Sequence, residues 1–235
     1  MRAAVIIPAA GRGLRMGKNI NKQYLPLCGK PLLAHTLGAC IDSQFFFAII
    51  VVVTPGEEDF FRRDVLLPWL PRDKITIVTG GTERQDSVYK GLQALAADTD
   101  LVCIHDGARP LVSASLFYNC LSEAEQHGAA ITAVPVKDTI KIVAANQVIS
   151  TPPRDTLWAV QTPQAFRFDL LLNVHRRASS ENFYATDDAA LLERYGYAVR
   201  VVAGDYENIK VTTPEDLVVA ETLIRGRQHA DWDRL

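Results

Sequence analysis

Residues Ala4–Leu25 read AVIIPAAGRGLRMGKNINKQYL. An apolar strand over Ala3–Ile7 breaks into small, backbone-exposing residues, Ala9-Ala10-Gly11-Arg12-Gly13, and the cations Arg15 and Lys22 follow. Small residues let a phosphate approach main-chain N–H groups, and Arg and Lys supply the charge a polyphosphate needs. The stretch reads as a nucleoside triphosphate loop closing the first strand of an open α/β sheet. The plain alternative is a Gly-rich βα turn.

Two other phosphate loops fail on residues. A P-loop needs four residues between its first Gly and Gly-Lys-Ser/Thr; here five separate Gly11 from Gly17, and Asn19 follows Lys18. A dinucleotide fingerprint needs a third Gly where Met16 stands, and a carboxylate closing the second strand, which ends Val53-Thr54-Pro55.

Working outward, strand and helix patterns alternate. Helices are expected over Pro31–Ile41, Glu57–Leu67 (stopped by Pro68 and Pro71), Glu83–Ala96 and Ser113–His127, and strands over Phe47–Thr54, Lys74–Val78, Leu101–Ile104 and Ala129–Val134. That rhythm predicts a doubly wound, mostly parallel sheet with ligands at the carboxyl ends of the strands. After Pro135 a hairpin of 138–143 and 148–150, around Ala145-Asn146-Gln147, interrupts the rhythm as a small β-arm, roughly 136–156. A strand over Leu157–Thr162, helices over Phe168–Arg177 and Asp187–Tyr195, a strand over Ala198–Val202 and a last helix capped by Thr213 complete the chain, read as one domain over 1–235.

The 235 residues are 48% hydrophobic and 22% charged with net charge −2, which suits a globular α/β chain and gives no basic footprint for nucleic acid. The nine-residue apolar run Phe45–Val53 is too short to span a bilayer, and Ala3–Ile7 is too short for a signal segment. Cys28, Cys40, Cys103 and Cys120 are widely spaced and read as thiols of a cytoplasmic protein; the five histidines form no transition-metal pattern.

Five further stretches carry chemistry. Gly80-Gly81-Thr82-Glu83-Arg84-Gln85-Asp86-Ser87 enters a helix whose N-terminus, with Arg84 and Ser87, suits a base, ribose or phosphate; otherwise Thr82 or Asp86 simply caps the helix. In His105-Asp106-Gly107-Ala108-Arg109-Pro110 a single carboxylate suits magnesium, and Arg109 either meets phosphate or ties the loop through a carboxylate pair. Asp138-Thr139 and Arg154 lie on the arm. Thr186-Asp187-Asp188 enters a helix that Thr186 caps. Lys210, in the apolar strand Asn208–Thr212, is expensive to bury unless it faces a cleft and an anion. No nucleophile–base pair is apparent. None is required if a substrate phosphate attacks, since its second pKa near ~6 leaves it dianionic.

Taken in order, these motifs resemble the 2-C-methyl-D-erythritol 4-phosphate cytidylyltransferase family. The resemblance rests on P-A-A-G-x-G-x-R-M at Pro8–Met16, K-Q-Y-L at Lys22–Leu25, and G-G-x-E-R-x-D-S-V at Gly80–Val88. H-D-x-A-R-P at His105–Pro110, P-V-x-D-T at Pro135–Thr139, T-P-Q at Thr162–Gln164 and N-I-K-V-T-x-P-E-D-L at Asn208–Leu217 extend it.

The resemblance implies a Rossmann-like nucleotidyltransferase fold and transfer of CMP from CTP to a sugar-alcohol phosphate, with pyrophosphate released. It implies a triphosphate cradle of Pro8, Ala9, Ala10, Gly11 and Gly13, and base and ribose contacts from Gly81, Thr82 and Ser87, with Arg84 supporting that loop. Arg15, Lys22 and Lys210 become the catalytic cations, and Asp106 holds Mg2+ (or Mn2+ in its place). Asp106, Arg109, Thr139, Arg154, Thr186 and Asp187 form the substrate side. It further implies a homodimer in which the arm brings Arg154 to the partner's site. The chain departs from the family pattern at Gly107 (often Ala), Asn21 (usually Pro) and Thr151-Pro152-Pro153-Arg154 (a T-V-x-R-like stretch).

The nearest rival is a ribitol-5-phosphate cytidylyltransferase, against which Ala9-Ala10 and Ala108 count. Sugar-1-phosphate nucleotidylyltransferases usually carry a longer Gly-rich signature and a larger second domain. A non-catalytic nucleotide-binding regulator predicts loss of Lys22 or Lys210, and both are present.

Overall fold

The computed structural model describes residues 1–11, 21–71 and 74–232. In chain order the first elements are β1 (Ala3–Pro8), a 3₁₀ turn (Lys22–Tyr24), the short pair β2 (Pro26–Leu27) and β3 (Lys30–Pro31), α1 (Leu32–Asp42) and β4 (Phe46–Val53). A helical segment follows as α2 (Glu58–Phe60), a π-helical turn (Phe61–Leu66) and α3 (Leu67–Trp69), then β5 (Ile75–Thr79), α4 (Arg84–Gln93), β6 (Leu101–Ile104), α5 (Ala114–His127) and β7 (Ala129–Pro135). The chain continues through β8 (Ile142–Ala144), β9 (Gln147–Ser150), β10 (Trp158–Arg167), α6 (Phe168–Ser180), α7 (Asp188–Arg194), β11 (Arg200–Ala203) and α8 (Pro214–Trp232).

Seven strands form one sheet in the order β11-β7-β10-β6-β1-β4-β5. Every neighbouring pair is parallel except those made by β10, which runs antiparallel to both β6 and β7. The fold is thus α/β with a mostly parallel sheet. Its strands are apolar on both faces because helices cover both. Ala3, Val5 and Ile7 of β1 pack with α1, the π-helical turn and α5 (Leu37, Phe61, Phe117), whereas Ile6 packs with α4 and α6 (Val88, Leu92, Leu171). α8 covers a third apolar group through Ala220, against Leu27, Leu32, Ala108 and Val211.

Four expectations need correction. The second helix does not stop at Pro68: it runs through to Trp69, because the π-helical turn widens the backbone ahead of the proline. The strand expected over Leu157–Thr162 continues to Arg167, past a cis Thr162–Pro163 bond, with the register shifting between Gln161 and Gln164. Asn208–Thr212 is not a strand but an irregular segment leading into α8. The hairpin is shorter than expected, β8 and β9, and turns through Ala145 and Asn146 with φ of 48° and 61°. Among the described residues no helix is long and apolar enough to cross a membrane.

Candidate active site

The sheet changes direction of winding at β1, which has β4 on one side and β6 on the other. Open α/β sheets place ligands outside the carboxyl ends of strands at such a point. Here the loops after β1, β5 and β6 meet the segment before α8. Together they form a cleft lined by Pro8, Ala10, Gly11, Lys22, Gly81, Thr82, Arg84, Ser87, Asp106 and Lys210 among others.

Backbone hydrogen bonds hold the walls. Ala9 N donates to Val52 O at 2.7 Å and Gly80 N to Val53 O at 2.8 Å, so the first two loops leave the sheet side by side. A side chain at Gly11 would point into open space, leaving its backbone approachable from the cleft. At Gly81 a Cβ would run into Asp86 Cβ, so the turn into α4 needs glycine there. Ser87 Oγ accepts from Gly81 N at 3.1 Å and donates to Glu83 O at 3.2 Å. Glu83, rather than Thr82 or Asp86, is the cap residue of α4, and its N–H donates to Asp86 Oδ2.

The loop after β6 is fixed by two residues whose part in the site the motif reading left undefined, His105 and Thr162. His105 is fully buried and faces Arg109 O through Nε2 at 3.2 Å and Thr162 Oγ1 through Nδ1 at 3.1 Å. Because a carbonyl only accepts, Nε2 carries the proton and donates it, and the Thr162 hydroxyl donates to Nδ1. The same hydroxyl accepts from Asp106 N at 3.0 Å. Burial pushes the imidazole down to about 4, so it stays neutral at physiological pH.

Asp106 reaches the cleft with one oxygen on each of two cations: Oδ2 accepts from Lys210 Nζ at 2.6 Å and Oδ1 faces Arg84 Nη2 at 3.4 Å. Burial would raise its carboxyl, but Arg84, Lys210 and Arg109 outweigh it and hold the group ionised, far below the usual carboxylate range. Lys210 is delivered by stitching between two loops. Arg109 Nη1 donates to Asn208 O at 2.6 Å, Val211 N to Ala108 O at 2.8 Å, and Asn208 Nδ2 to Thr162 O at 2.8 Å. Lys22 Nζ donates to Val211 O at 3.2 Å, which brings the second lysine to the same wall.

Arg84 is anchored from behind. Its Nη1 donates to Asp188 Oδ2 at 2.7 Å, and Asp188 Oδ1 accepts from His175 Nε2 at 3.1 Å. Burial would raise the Asp188 carboxyl; Arg84 and His175 bring it down to about 2 instead.

Not every expected site residue reaches the cleft wall. Ala9 is fully buried beneath it, and Arg109 lies buried behind it on the Asn208 carbonyl, with no carboxylate ion pair among the described residues. Thr139 and Arg154 sit on the exposed arm, where Arg154 Nη1 donates to Lys137 O at 3.1 Å. Thr186 is exposed and is not the cap of α7. Asp187 is, accepting from Ala190 N at 2.9 Å while its other oxygen accepts from Gln164 Nε2 at 2.8 Å. Gly13 and Arg15 lie outside the described residues. Gln23, which the motif reading did not single out, lines the cleft with a buried Oε1 that has no hydrogen-bond partner among the described residues.

The family model for IspD, 2-C-methyl-D-erythritol 4-phosphate cytidylyltransferase, matches residues 3–226. The chain belongs to this family. A relative of that name from Pelotomaculum thermopropionicum is 51% identical over 228 residues, covering 97% of this chain and 96% of its own. The crystal structure of 4-diphosphocytidyl-2C-methyl-D-erythritol synthase from Anaerococcus prevotii superposes with a TM-score of 0.84 at 35% identity, covering 95% of this chain and 98% of that one. The 2-C-methyl-D-erythritol 4-phosphate cytidylyltransferase of Thermus thermophilus gives a TM-score of 0.79 at 36% identity, covering 96% and 100%. As a member of the IspD family, the chain is a nucleotidyltransferase of the cytidylyltransferase type.

Proposed function

We propose that this chain transfers CMP from CTP to 2-C-methyl-D-erythritol 4-phosphate, releasing pyrophosphate and forming 4-diphosphocytidyl-2-C-methyl-D-erythritol. One observation carries the reading: Lys210 and Arg84 meet Asp106, and Lys22 lines the same cleft, whose other walls are the backbones of Ala10–Gly11 and Gly81–Thr82. This arrangement brings two anions together.

The phosphate oxygen of the acceptor attacks the α-phosphorus in line, and the bond to the bridging oxygen of pyrophosphate breaks. The attacking dianion needs no base. Orientation and charge stabilisation carry the rate. Ala10, Gly11 and Gly13 cradle the triphosphate, with Ala9 setting the strand end. Gly81 and Thr82 take the base and ribose while Ser87 holds their turn. Lys22 and Lys210, with Arg15, stabilise the crowded α-phosphate. Thr139, Arg154, Thr186 and Asp187 form the acceptor side, and Arg109 serves as the tie that aims Lys210.

Asp106 fits a magnesium ligand: it is an ionised carboxylate in the cleft, and magnesium takes one or two such groups plus substrate phosphates. Asp106 would hold the ion, which would supply charge neutralisation to the triphosphate, and Lys210, beside it at 2.6 Å, adds its own positive charge to the same wall. Arm exchange in a homodimer is supported by the hairpin's apolar exposure: Ile142, Val143, Val148 and Ile149 are all at least half exposed. The free thiols of all four cysteines fit a reducing, cytoplasmic compartment.

The test is pyrophosphate release from CTP and magnesium, with methylerythritol phosphate and ribitol 5-phosphate side by side. Turnover with methylerythritol phosphate alone is expected. Turnover with ribitol 5-phosphate alone overturns the acceptor assignment and keeps the mechanism.

A further inference from the structure

Behind the cleft a row of charges runs inward across three helices. Lys210 meets Asp106, Asp106 meets Arg84, Arg84 meets Asp188, and Asp188 meets His175. The three outer members, Lys210, Asp106 and Arg84, line the cleft. The two inner ones do not: the side chains of His175 and Asp188 are 0% and 1% exposed. Asp188 opens α7, His175 lies on α6, and Arg84 opens α4. Tyr89, one turn further along α4, stacks on the His175 ring with centroids 5.9 Å apart and planes 15° apart.

The distances are unequal in a telling way. Arg84 holds Asp188 at 2.7 Å but faces Asp106 at only 3.4 Å, through both Nε and Nη2. A guanidinium left with one carboxylate closes on it in a bidentate fork. Here Asp188 draws the guanidinium back, and Asp106 keeps Oδ2 for Lys210 and shares Oδ1 loosely. Asp188 in turn has its other oxygen occupied: an ionised carboxylate only accepts, so His175 Nε2 donates to Oδ1 and orients the carboxylate towards Arg84.

We propose that Asp188 and His175 are positioning residues of the cytidylyl-transfer site: they hold Arg84 off Asp106 and so leave the Asp106–Lys210 pair free to engage the nucleotide. Neither touches substrate. The inference rests on the reading that Lys210 and Asp106 belong to the reacting site. It differs from a purely structural role in what it moves, namely the chemical step rather than ground-state binding.

The experiment compares Asp188→Asn, His175→Phe and His175→Gln in the full chain, measuring kcat, KM for CTP and thermal midpoint, with Lys210→Ala as reference. Asp188→Asn and His175→Phe are expected to lower kcat on the order of tenfold or more, the scale of a small misplacement of a catalytic group, with KM for CTP nearly constant. His175→Gln, whose amide can place an N–H near the Nε2 position, is expected to recover most of the rate. Arginine-selective 15N NMR of the wild-type chain is expected to show resolved Nη protons for Arg84, pinned on both sides.

Wild-type kcat in a folded Asp188→Asn overturns the proposal, as does equal loss in His175→Phe and His175→Gln. If neither Asp188→Asn nor His175→Phe folds, the wild-type spectrum decides, and averaged Arg84 Nη signals overturn it. Full turnover in Lys210→Ala instead overturns the underlying site reading.

Discussion

Lys210 Nζ lies 2.6 Å from Asp106 Oδ2, and the two residues, 104 positions apart in sequence, meet because Arg109 and Asn208 tie their loops together. The contact pairs a cation with an anion at the place where a polyphosphate would enter. Each partner holds the other in place.

Removing either lysine from this wall should therefore damage turnover more than nucleotide affinity. Lys210→Ala and Lys22→Ala are each expected to lower kcat by about 10²–10³-fold, the usual loss for one preorganised charge donor. CTP affinity by isothermal titration should fall far less. Equal losses in both quantities would show that the lysines act in ground-state binding.

Arg154 stands on the arm, away from the cleft wall, with a backbone carbonyl as its hydrogen-bond partner. Arg154→Ala should raise KM for the sugar-alcohol phosphate about tenfold, as loss of one charged hydrogen bond costs ~1.5–3 kcal/mol. CTP affinity should be unchanged. Loss of CTP binding with the acceptor KM intact would show the assignment to be wrong.

Acid should destabilise the chain well before its carboxylates titrate. His105 is held near 4, below the 6.5 of a free imidazole, because burial disfavours the charged ring. The unfolded chain thus binds a proton between pH 6.5 and 4 that the native chain refuses. Stability is complete above 6.5 and declines on acidification by up to about 1.4 kcal/mol per unit, ~3 kcal/mol in all. His35, also lowered by burial, adds to the same window. Asp106 and Asp188, whose values are depressed, contribute above about 4 and lose that contribution only below it. Urea unfolding at pH 7 and pH 4.5 should show a clearly smaller difference for His105→Asn than for the wild type; identical differences would remove His105 as the cause.

Gly107 stands where the resemblance to the family leads us to expect alanine, and its surroundings give a reason for glycine. A Cβ there would strike Gln23 Oε1 and come within 2.9 Å of Leu33 Cδ1. Gly107→Ala is expected to cost about 1–3 kcal/mol in urea unfolding, the range for overpacking. Gly107→Ala combined with Gln23→Ala should recover part of that loss. A neutral single substitution would show that the Gln23 side chain shifts freely.

Much of this architecture was legible in the sequence where one physical signal dominated. The apolar β-branched run at Phe47–Thr54 is β4 to within a residue, and Ser113 and Gly128 cap α5 at the expected ends. The signal failed where a proline sat among competing effects. The strand expected to end at Thr162 carries on past Pro163, where a register shift in β10 accommodates the ring and points the Thr162 hydroxyl at the Asp106 amide. Asn208–Thr212 alternates like a strand, but its backbone groups bond to Ala108 and Arg109 instead of a ladder. The cleft's front wall was readable from Gly, Lys and Asp in motifs. Its support by His105, Thr162, Asp188 and His175 was not, because those pairings join residues 13 to 57 positions apart through packing alone.

The place of β10 also sets an order of events during synthesis. β6 and β7 are consecutive in the parallel series yet never touch; the space between them is filled by a strand made some thirty residues later. Until Trp158–Arg167 leaves the ribosome, β6 presents a bare apolar edge, the kind of edge that recruits other chains. The residue that fixes the Asp106 amide arrives on that same late strand. A nascent chain cut short before it therefore holds its four-stranded half without a finished Asp106 loop, and β10 supplies the anchor of that loop and the cover of the β6 edge in one step.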